Sequence, residues 1–244
     1  MSFRSSITIV ASPRPRVGKT LLARLLTDFN LHEGRLVTAF DLNMGDRTLA
    51  QFLPDKTRAA SIRDVNGQMA LFDHLVAYED ITKVIDVGHE AYEAFFSLAH
   101  NIGFVDEARR RSIAVAILFI VAPDHTSVTA YRSLRERFTH ATLAPVHNEM
   151  LGPAQHRDKY PLATGGPGLV RMAVLAPGLR RYVETPPFSF ADPRIADSPL
   201  IPATAYAELE RWLRRIYLEF RELDLRILLA DLQSSIQLSS NSQS

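Results

Sequence analysis

A lysine and a hydroxyl side by side, two distant aspartates and an upstream arginine are the residues of this chain best suited to hold a phosphorylated ligand. Lys19 and Thr20 follow Gly18 at the end of "RPRVGKT", between an apolar run and a helical pattern. A lysine there offers a point charge to β- and γ-phosphates, a threonine hydroxyl offers a ligand to Mg²⁺, and the first N–H groups of the helix point at an anion. The backbone donors of such a loop come from Arg16, Val17, Gly18, Lys19, Thr20 and Leu21, none of which is proline. Pro13 and Pro15 lie upstream, where a missing N–H removes no donor. The loop departs from G-x-x-x-x-G-K-[ST] at its first position, where Pro13 replaces glycine. Arg16 also stands where glycine is common; if the position takes φ > 0, a side chain there costs about 1–2 kcal/mol.

The surrounding elements determine whether these residues meet. "SITIVA" (Ser6–Ala11) reads as a strand and Lys19 to Phe29 as a helix. "RLVTAFD" and "KVIDVG" are strands that reach acids, Asp41 and Asp86. "SIRDVNGQMALFDHLVAY" is helical in its second half, "EAYEAFFSLAHNIGFVDEA" is helical, and "SIAVAILFIVA" is a buried strand. A helix from about Ser127 to Phe138 and strands at "ATLAPVHN" and "RMAVLA" follow. Uniformly apolar strands alternating with helices predict an α/β fold, doubly wound, with a mostly parallel sheet covered on both faces. Right-handed crossovers then gather the strand C-termini along one edge. Gly18 to Thr20, Asp41 and Asp86 all fall on that edge.

The predicted organisation is one domain over residues 1–232 with a polar flexible tail over 233–244. Residues 151–205 hold nine of the 14 prolines and five of the 11 glycines, which predicts long connections packed on the sheet edge. Residues 206–232 form an amphipathic helix, with Leu209, Trp212, Leu213, Ile216, Phe220, Leu223 and Ile227 recurring every three or four positions.

Composition removes several functional classes. The formal net charge is +1, so no global field draws the chain to nucleic acid or membrane. There are 24 arginines against four lysines, a skew that reflects codon usage more than function. The absence of cysteine excludes disulfides, thiolate metal sites and a thiol nucleophile, and fits a cytoplasmic location. Ile7 to Ala11 is too short an apolar run for a secretory signal. His74, His100, His125 and His140 lack metal-ligand spacing.

The order of motifs resembles the ParA/MinD family of deviant Walker A P-loop ATPases over roughly Ser6 to Asn148. "RPRVGKT" resembles K-G-G-x-G-K-T, with Arg14 at the signature lysine. "FDLNMGDRTLA" is similar to switch I, D-x-D-x-G-x-R-x-L, through Asp41, Gly45, Arg47 and Leu49. "VIDVGHE" resembles the Walker B and switch II segment in its partition and conjugal-transfer form, with Asp86 and Gly88 in place. "FIVAPDHTSVTAYRSL" matches at Pro123 and Ser127, and Asn148 falls where the family places an asparagine near the base. The resemblance implies a P-loop NTPase fold, ATP with Mg²⁺, and a homodimer closed by nucleotide. Arg16, Val17, Gly18, Lys19, Thr20, Leu21, Gly88 and Asn148 would bind the nucleotide. Thr20 and Asp86 would hold the metal, and Lys19, Asp41, Asn43 and Arg14 would serve catalysis, Arg14 acting across the dimer. Where the family has a second switch I acid this chain has Asn43; an amide positions water but takes no proton, a change worth ~10²–10⁴-fold in rate.

These features imply a switch with slow or partner-stimulated hydrolysis that acts with a protein partner or cargo adaptor in partition, positioning or transfer. A non-hydrolysing scaffold with weak or no nucleotide binding is the alternative. Nonspecific DNA stays open as a partner through Arg109–Arg111, Arg132, Arg135, Arg137, Arg211, Arg214 and Arg215. Membrane contact is not expected, because Glu208, Glu210, Glu219, Glu222 and Asp224 acidify the last helix.

Overall fold

The computed structural model describes residues 5–43, 48–77, 80–152, 160, 168–195 and 201–241, with side chains through residue 229. Its seven strands are β1 (Ser6–Ala11), β2 (Val37–Asp41), β3 (Thr57–Ala59), β4 (Thr82–Asp86), β5 (Ala114–Ile120), β6 (Thr142–Asn148) and β7 (Val170–Met172). They form one sheet in the order β3-β2-β4-β1-β5-β6-β7, and every pairing is parallel. The helices are α1 (Lys19–His32), α2 (Thr48–Phe52), α3 (Val65–Val76), α4 (Tyr92–Asn101), α5 (Phe104–Arg110), α6 (His125–Arg137), α7 (Pro177–Val183) and α8 (Ala203–Asn241). The doubly wound α/β fold expected from the sequence is the fold observed.

Strand pleating divides the core in two. Ile7, Ile9, Phe40, Ile85, Ile117 and Phe119 face α3 to α6 and pack on Phe72, Phe95, Phe96 and Tyr131. Val10, Ala39, Val84, Leu118 and Val146 face the other way and pack on α1 and α8 through Leu22, Phe29, Trp212 and Phe220. The inner strands are apolar on both faces for this reason.

Several elements differ from the sequence reading. The helix expected across "EAYEAFFSLAHNIGFVDEA" breaks at Ile102–Gly103. The chain turns there, so Phe104, Val105 and Ala108 can be buried beside Phe95 and Phe96. β3 is only three residues long, with no alternation for a pattern search to find. α7 lies within the Pro/Gly-rich span and starts at Pro177, a residue compatible with a first helical turn. α8 runs 39 residues, on through the positions that suggest a tail.

α8 belongs to the core over much of its described length. Phe220 meets Phe29 of α1 edge-on at 5.4 Å between ring centroids, and Tyr217 packs tilted against the same ring at 5.3 Å. Trp212 donates its indole N–H to the Ala173 carbonyl at 3.0 Å. Among the described residues no helix is long and apolar enough to cross a membrane.

A buried polar clasp ties the end of α7 and the segment after it back to α1. Arg24 donates to the carbonyls of Val183 and Phe188 at 2.9 and 3.3 Å, and its guanidinium lies 3.6 Å from the Phe52 ring centroid. One turn on, Asp28 accepts from Ser189 Oγ at 2.7 Å and Phe190 N at 2.6 Å. Arg24 and Asp28 are both buried, and each satisfies groups in a loop about 160 residues away.

Removing the Phe220 ring should cost about 3–5 kcal/mol, the range for truncating a buried phenylalanine. Leu225→Ala, on an exposed face of the same helix, should change stability by less than about 0.5 kcal/mol. Urea denaturation of both variants tests this; equal, small losses would show that α8 is dispensable to the core.

Candidate functional site

β1 hands the chain to β2 on one side of the sheet, while β5 hands it to β6 on the other. The C-terminal ends of β1 and β5 therefore border a crevice, the place where ligands settle on open parallel sheets. The loop carrying Gly18, Lys19 and Thr20 leaves β1 at that point.

The loop is stiffened by side chains where glycines are missing. Arg16 takes φ 57°, the left-handed conformation anticipated for that position, and Gly18 takes φ 96°. A Cβ on Gly18 would sit 2.7 Å from Asn148 Nδ2, so glycine is required there on two counts. Asn148, at the end of β6, donates Nδ2 to the Val17 carbonyl at 2.9 Å and accepts from Met150 N at 3.1 Å. Its amide thus braces the loop. Gly18 is the N-cap of α1, and no side chain caps the helix. The first turn, with Lys19, Thr20 and Leu21, therefore presents N–H groups that have no intrahelical acceptor.

Lys19 is 7% exposed and donates Nζ to the Arg14 carbonyl at 2.5 Å. Burial lowers its pKa, and the Asp86 charge opposes that shift. The Arg14 side chain crosses the crevice to Asp124, which follows β5, with 2.8 Å between the charged atoms. Asp124 also caps α6, accepting from Ser127 N at 3.0 Å and Ser127 Oγ at 2.9 Å. Partial burial pushes this carboxyl up, but the bonds from Arg14 and Ser127 outweigh it and hold the pKa at about 2. Asp124 was missed in the sequence, although an Asp three residues before Ser127 at a helix start is a recognisable cap.

Asp41 and Asp86 end adjacent strands in direct register, and both are fully buried. Asn43 holds them together, donating Nδ2 to Asp41 Oδ1 at 2.7 Å and to Asp86 Oδ2 at 2.9 Å. Asp41 accepts further bonds from Asn43 N at 3.0 Å and Ala50 N at 3.1 Å. Thr20 donates its hydroxyl to Asp86 Oδ2 at 2.7 Å and lies 3.3 Å from the Thr48 hydroxyl. Gly88 packs on this cluster; a Cβ there would stand 2.8 Å from Asn43 Oδ1. Lys19, Thr20, Asp41, Asn43, Asp86 and Gly88 therefore meet, with Arg14 and Asn148 bracing the loop from the other side. Gly45 and Arg47 lie outside the described residues.

One atom of the cluster stands out. Asp86 Oδ1 is buried and has no hydrogen-bond partner. Burial raises the Asp86 pKa to about 6; the Asp41 charge adds to this, while Thr20, Asn43 and Lys19 oppose it. A buried carboxylate with a spare oxygen beside a second carboxylate suits a cation. Among the described residues no group of three acidic, histidine or cysteine side chains forms a self-sufficient metal site. The residues fit Mg²⁺, which characteristically takes one or two protein oxygens and completes its shell with phosphate and water.

No protein-family model matches the chain, and no characterised protein matches it in sequence. Among solved structures it is similar to two of FtsY from Mycoplasma mycoides. One aligns at 12% identity and a TM-score of 0.39 over 64% of this chain and 55% of that one, so the chain spans about half of its length. The other aligns at 10% identity and a TM-score of 0.40 over 90% of this chain and 68% of that one. Scores this low carry no argument about chemistry.

The pKa of Asp86 has a consequence for stability. Below about pH 4 both folded and unfolded chains hold its proton. Between about pH 4 and 6 the folded chain keeps the proton and the unfolded chain releases it, so stability falls as pH rises through this window. Asp86→Asn removes that loss. In metal-free buffer at pH 7.5 the variant should be more stable than wild type by up to about 2–3 kcal/mol, at 1.4 kcal/mol per pK unit. At pH 4 the gain should vanish. Denaturant curves at the two pH values check this, and a variant no more stable at pH 7.5 would mean that Asp86 Oδ1 has found a partner.

Proposed function

We propose that this chain is a nucleotide-binding switch of the P-loop class, resembling ParA/MinD ATPases, that binds ATP with Mg²⁺ and dimerises upon it. One observation carries the reading: Thr20, directly after Gly18 and Lys19, donates to Asp86 at the end of the neighbouring strand, and the second oxygen of Asp86 is buried without a partner. A hydroxyl and an acid joined in this way at a helix N-terminus are the protein half of a Mg²⁺–phosphate site. The cation would neutralise phosphate charge, held by Thr20 directly and by Asp86 directly or through its water.

The chain's own residues have definite tasks. Lys19 would exchange the Arg14 carbonyl for phosphate oxygens. The N–H groups from Arg16 to Leu21 would cradle the phosphates, with Asn148 fixing the loop through Val17. Asn43 and Gly88 touch, so a change at the γ-phosphate sensed by either reaches both strands that carry acids. Asn43 spends its amide on Asp41 and Asp86, and Asp41 spends its oxygens on the backbone and Asn43. Asp41 is thereby committed, Asn43 takes no proton, and Asp86, whose Oδ1 is open, is assigned to the cation, which supports slow or partner-stimulated hydrolysis. The same observation favours the second reading, a scaffold that binds nucleotide weakly and does not turn it over. Arg14, paired with Asp124 in the single chain, would leave it to reach the other chain's nucleotide. Cargo, protein partner and any nonspecific DNA contact belong to this proposal as the classes that a dimerising switch serves.

Titration calorimetry of the protein with ATP, ADP and GTP in the presence of Mg²⁺ tests the reading. Wild type should bind a triphosphate, and Lys19→Ala should abolish the heat; equal behaviour of the two removes the nucleotide claim. Turnover of the wild type separates switch from scaffold.

The dimer has its own test. Arg14→Ala should leave the affinity for a non-hydrolysable ATP analogue within a few-fold of wild type at low protein concentration. A charge-assisted bond contributes about 1.5–3 kcal/mol and occurs twice in a symmetric dimer, so the nucleotide-induced monomer–dimer equilibrium should weaken by ~10²-fold or more. Sedimentation reads the difference, and undiminished dimerisation of Arg14→Ala withdraws the role in trans.

A further inference from the structure

We propose that Thr48 supplies a second hydroxyl ligand to the divalent cation, so that the first turn of α2 is bound to the phosphate loop through the metal. The inference rests on the nucleotide reading above and extends it to a residue outside the loop and the two acids.

Thr48 Oγ1 lies 3.3 Å from Thr20 Oγ1, and Thr20 Oγ1 lies 2.7 Å from Asp86 Oδ2. Neighbouring oxygens on an octahedral cation with bonds of about 2.0–2.1 Å are about 2.8–3.0 Å apart, the bond length multiplied by the square root of two. The two observed separations bracket that edge. As a hydrogen bond the Thr20–Thr48 contact is long, since hydroxyl pairs favour about 2.7–2.8 Å. The Thr20 proton is committed to Asp86, so the two threonines have one donor between them. As two corners of a coordination shell the spacing is natural.

The position of Thr48 is fixed from both sides of the helix start. Leu49, the next residue, is 0% exposed and lies in the core with Val10, Leu22 and Val84. Ala50 donates its N–H to Asp41 Oδ2 at 3.1 Å. The Thr48 hydroxyl therefore faces the Thr20–Asp86 pair from a backbone anchored by the core and by a buried acid. A second, independent observation points to a cation: the unpartnered, buried Asp86 Oδ1 of the same cluster. All the available donors are hydroxyl and carboxylate oxygens, a set that selects hard ions such as Mg²⁺ or Mn²⁺.

The experiment uses the full chain and reads the metal, independent of turnover. Mn²⁺ binding is followed by the loss of its free electron-paramagnetic-resonance signal, with and without a non-hydrolysable ATP analogue. Affinity for a fluorescent analogue is measured across Mg²⁺ concentrations. Thr48→Val keeps the shape and removes the hydroxyl; Thr48→Ser keeps the hydroxyl; thermal melts establish that both fold. Thr48→Val should weaken Mn²⁺ binding by about 10- to 100-fold, the range for lost metal-site contacts. Nucleotide affinity without metal should stay within about two-fold, and Thr48→Ser should restore Mn²⁺ binding. Wild-type Mn²⁺ affinity in Thr48→Val overturns the proposal, as does equal weakening by both variants, which would assign Thr48 to packing. If wild type binds Mn²⁺ through Thr48 but no nucleotide, the metal site stands and the nucleotide reading falls; if it binds neither, both fall.

Discussion

Two buried carboxylates at adjacent strand ends are the constraint around which this site is arranged. Asp41 and Asp86 are brought into register by the pairing of β2 with β4, and neither reaches solvent. Like charges so placed repel, and burial penalises both. The chain answers with donors: Asn43 bridges the pair, Ala50 adds a backbone N–H to Asp41, and Thr20 adds a hydroxyl to Asp86. The compensation stops one oxygen short, at Asp86 Oδ1. A fold selected for stability alone would place an amide or an apolar residue at position 86. Keeping an acid there is consistent with a ligand that supplies the missing positive charge.

The loop after β1 shows how a glycine-poor sequence can be held in a glycine-like shape. Arg16 accepts a left-handed backbone, and the strain of one such residue is about 1–2 kcal/mol. Around it, Lys19 bonds the Arg14 carbonyl and Asn148 bonds the Val17 carbonyl. Gly18 remains irreplaceable because Asn148 occupies the space that a Cβ would need. Rigidity that other loops obtain from the backbone is here imposed by side chains from the loop itself and from β6.

The site is also wired to both sides of the sheet. Arg14 and Asp124 join the loop after β1 to the cap of α6, across the crevice between β1 and β5. Thr20 and Thr48 approach each other from α1 and α2, and Phe52 at the end of α2 stacks on Arg24 of the buried clasp. A change at the loop after β1 therefore has direct contacts to α1, α2 and α6, and through Arg24 to the loop after α7.

The sequence by itself determined the elements and the edge on which the chemistry lies. Uniform apolar runs fixed the inner strands, and G-K-T after the first strand, with acids ending the next two strand-like runs, placed Lys19, Thr20, Asp41 and Asp86 on one edge. These features are legible because they depend on local periodicity and on the handedness of crossovers. Tertiary structure alone decided the partners. That Asn148 braces Val17, that Arg14 pairs with Asp124, that Thr48 faces Thr20, and that Arg24 and Asp28 clasp a distant loop are contacts between residues 28 to 164 positions apart. No local pattern encodes them, because each arises only when the sheet order has set which loops are neighbours. The three-residue β3 and the break at Gly103 escaped for the same reason: their positions are set by packing against the assembled sheet, which outweighs local propensity.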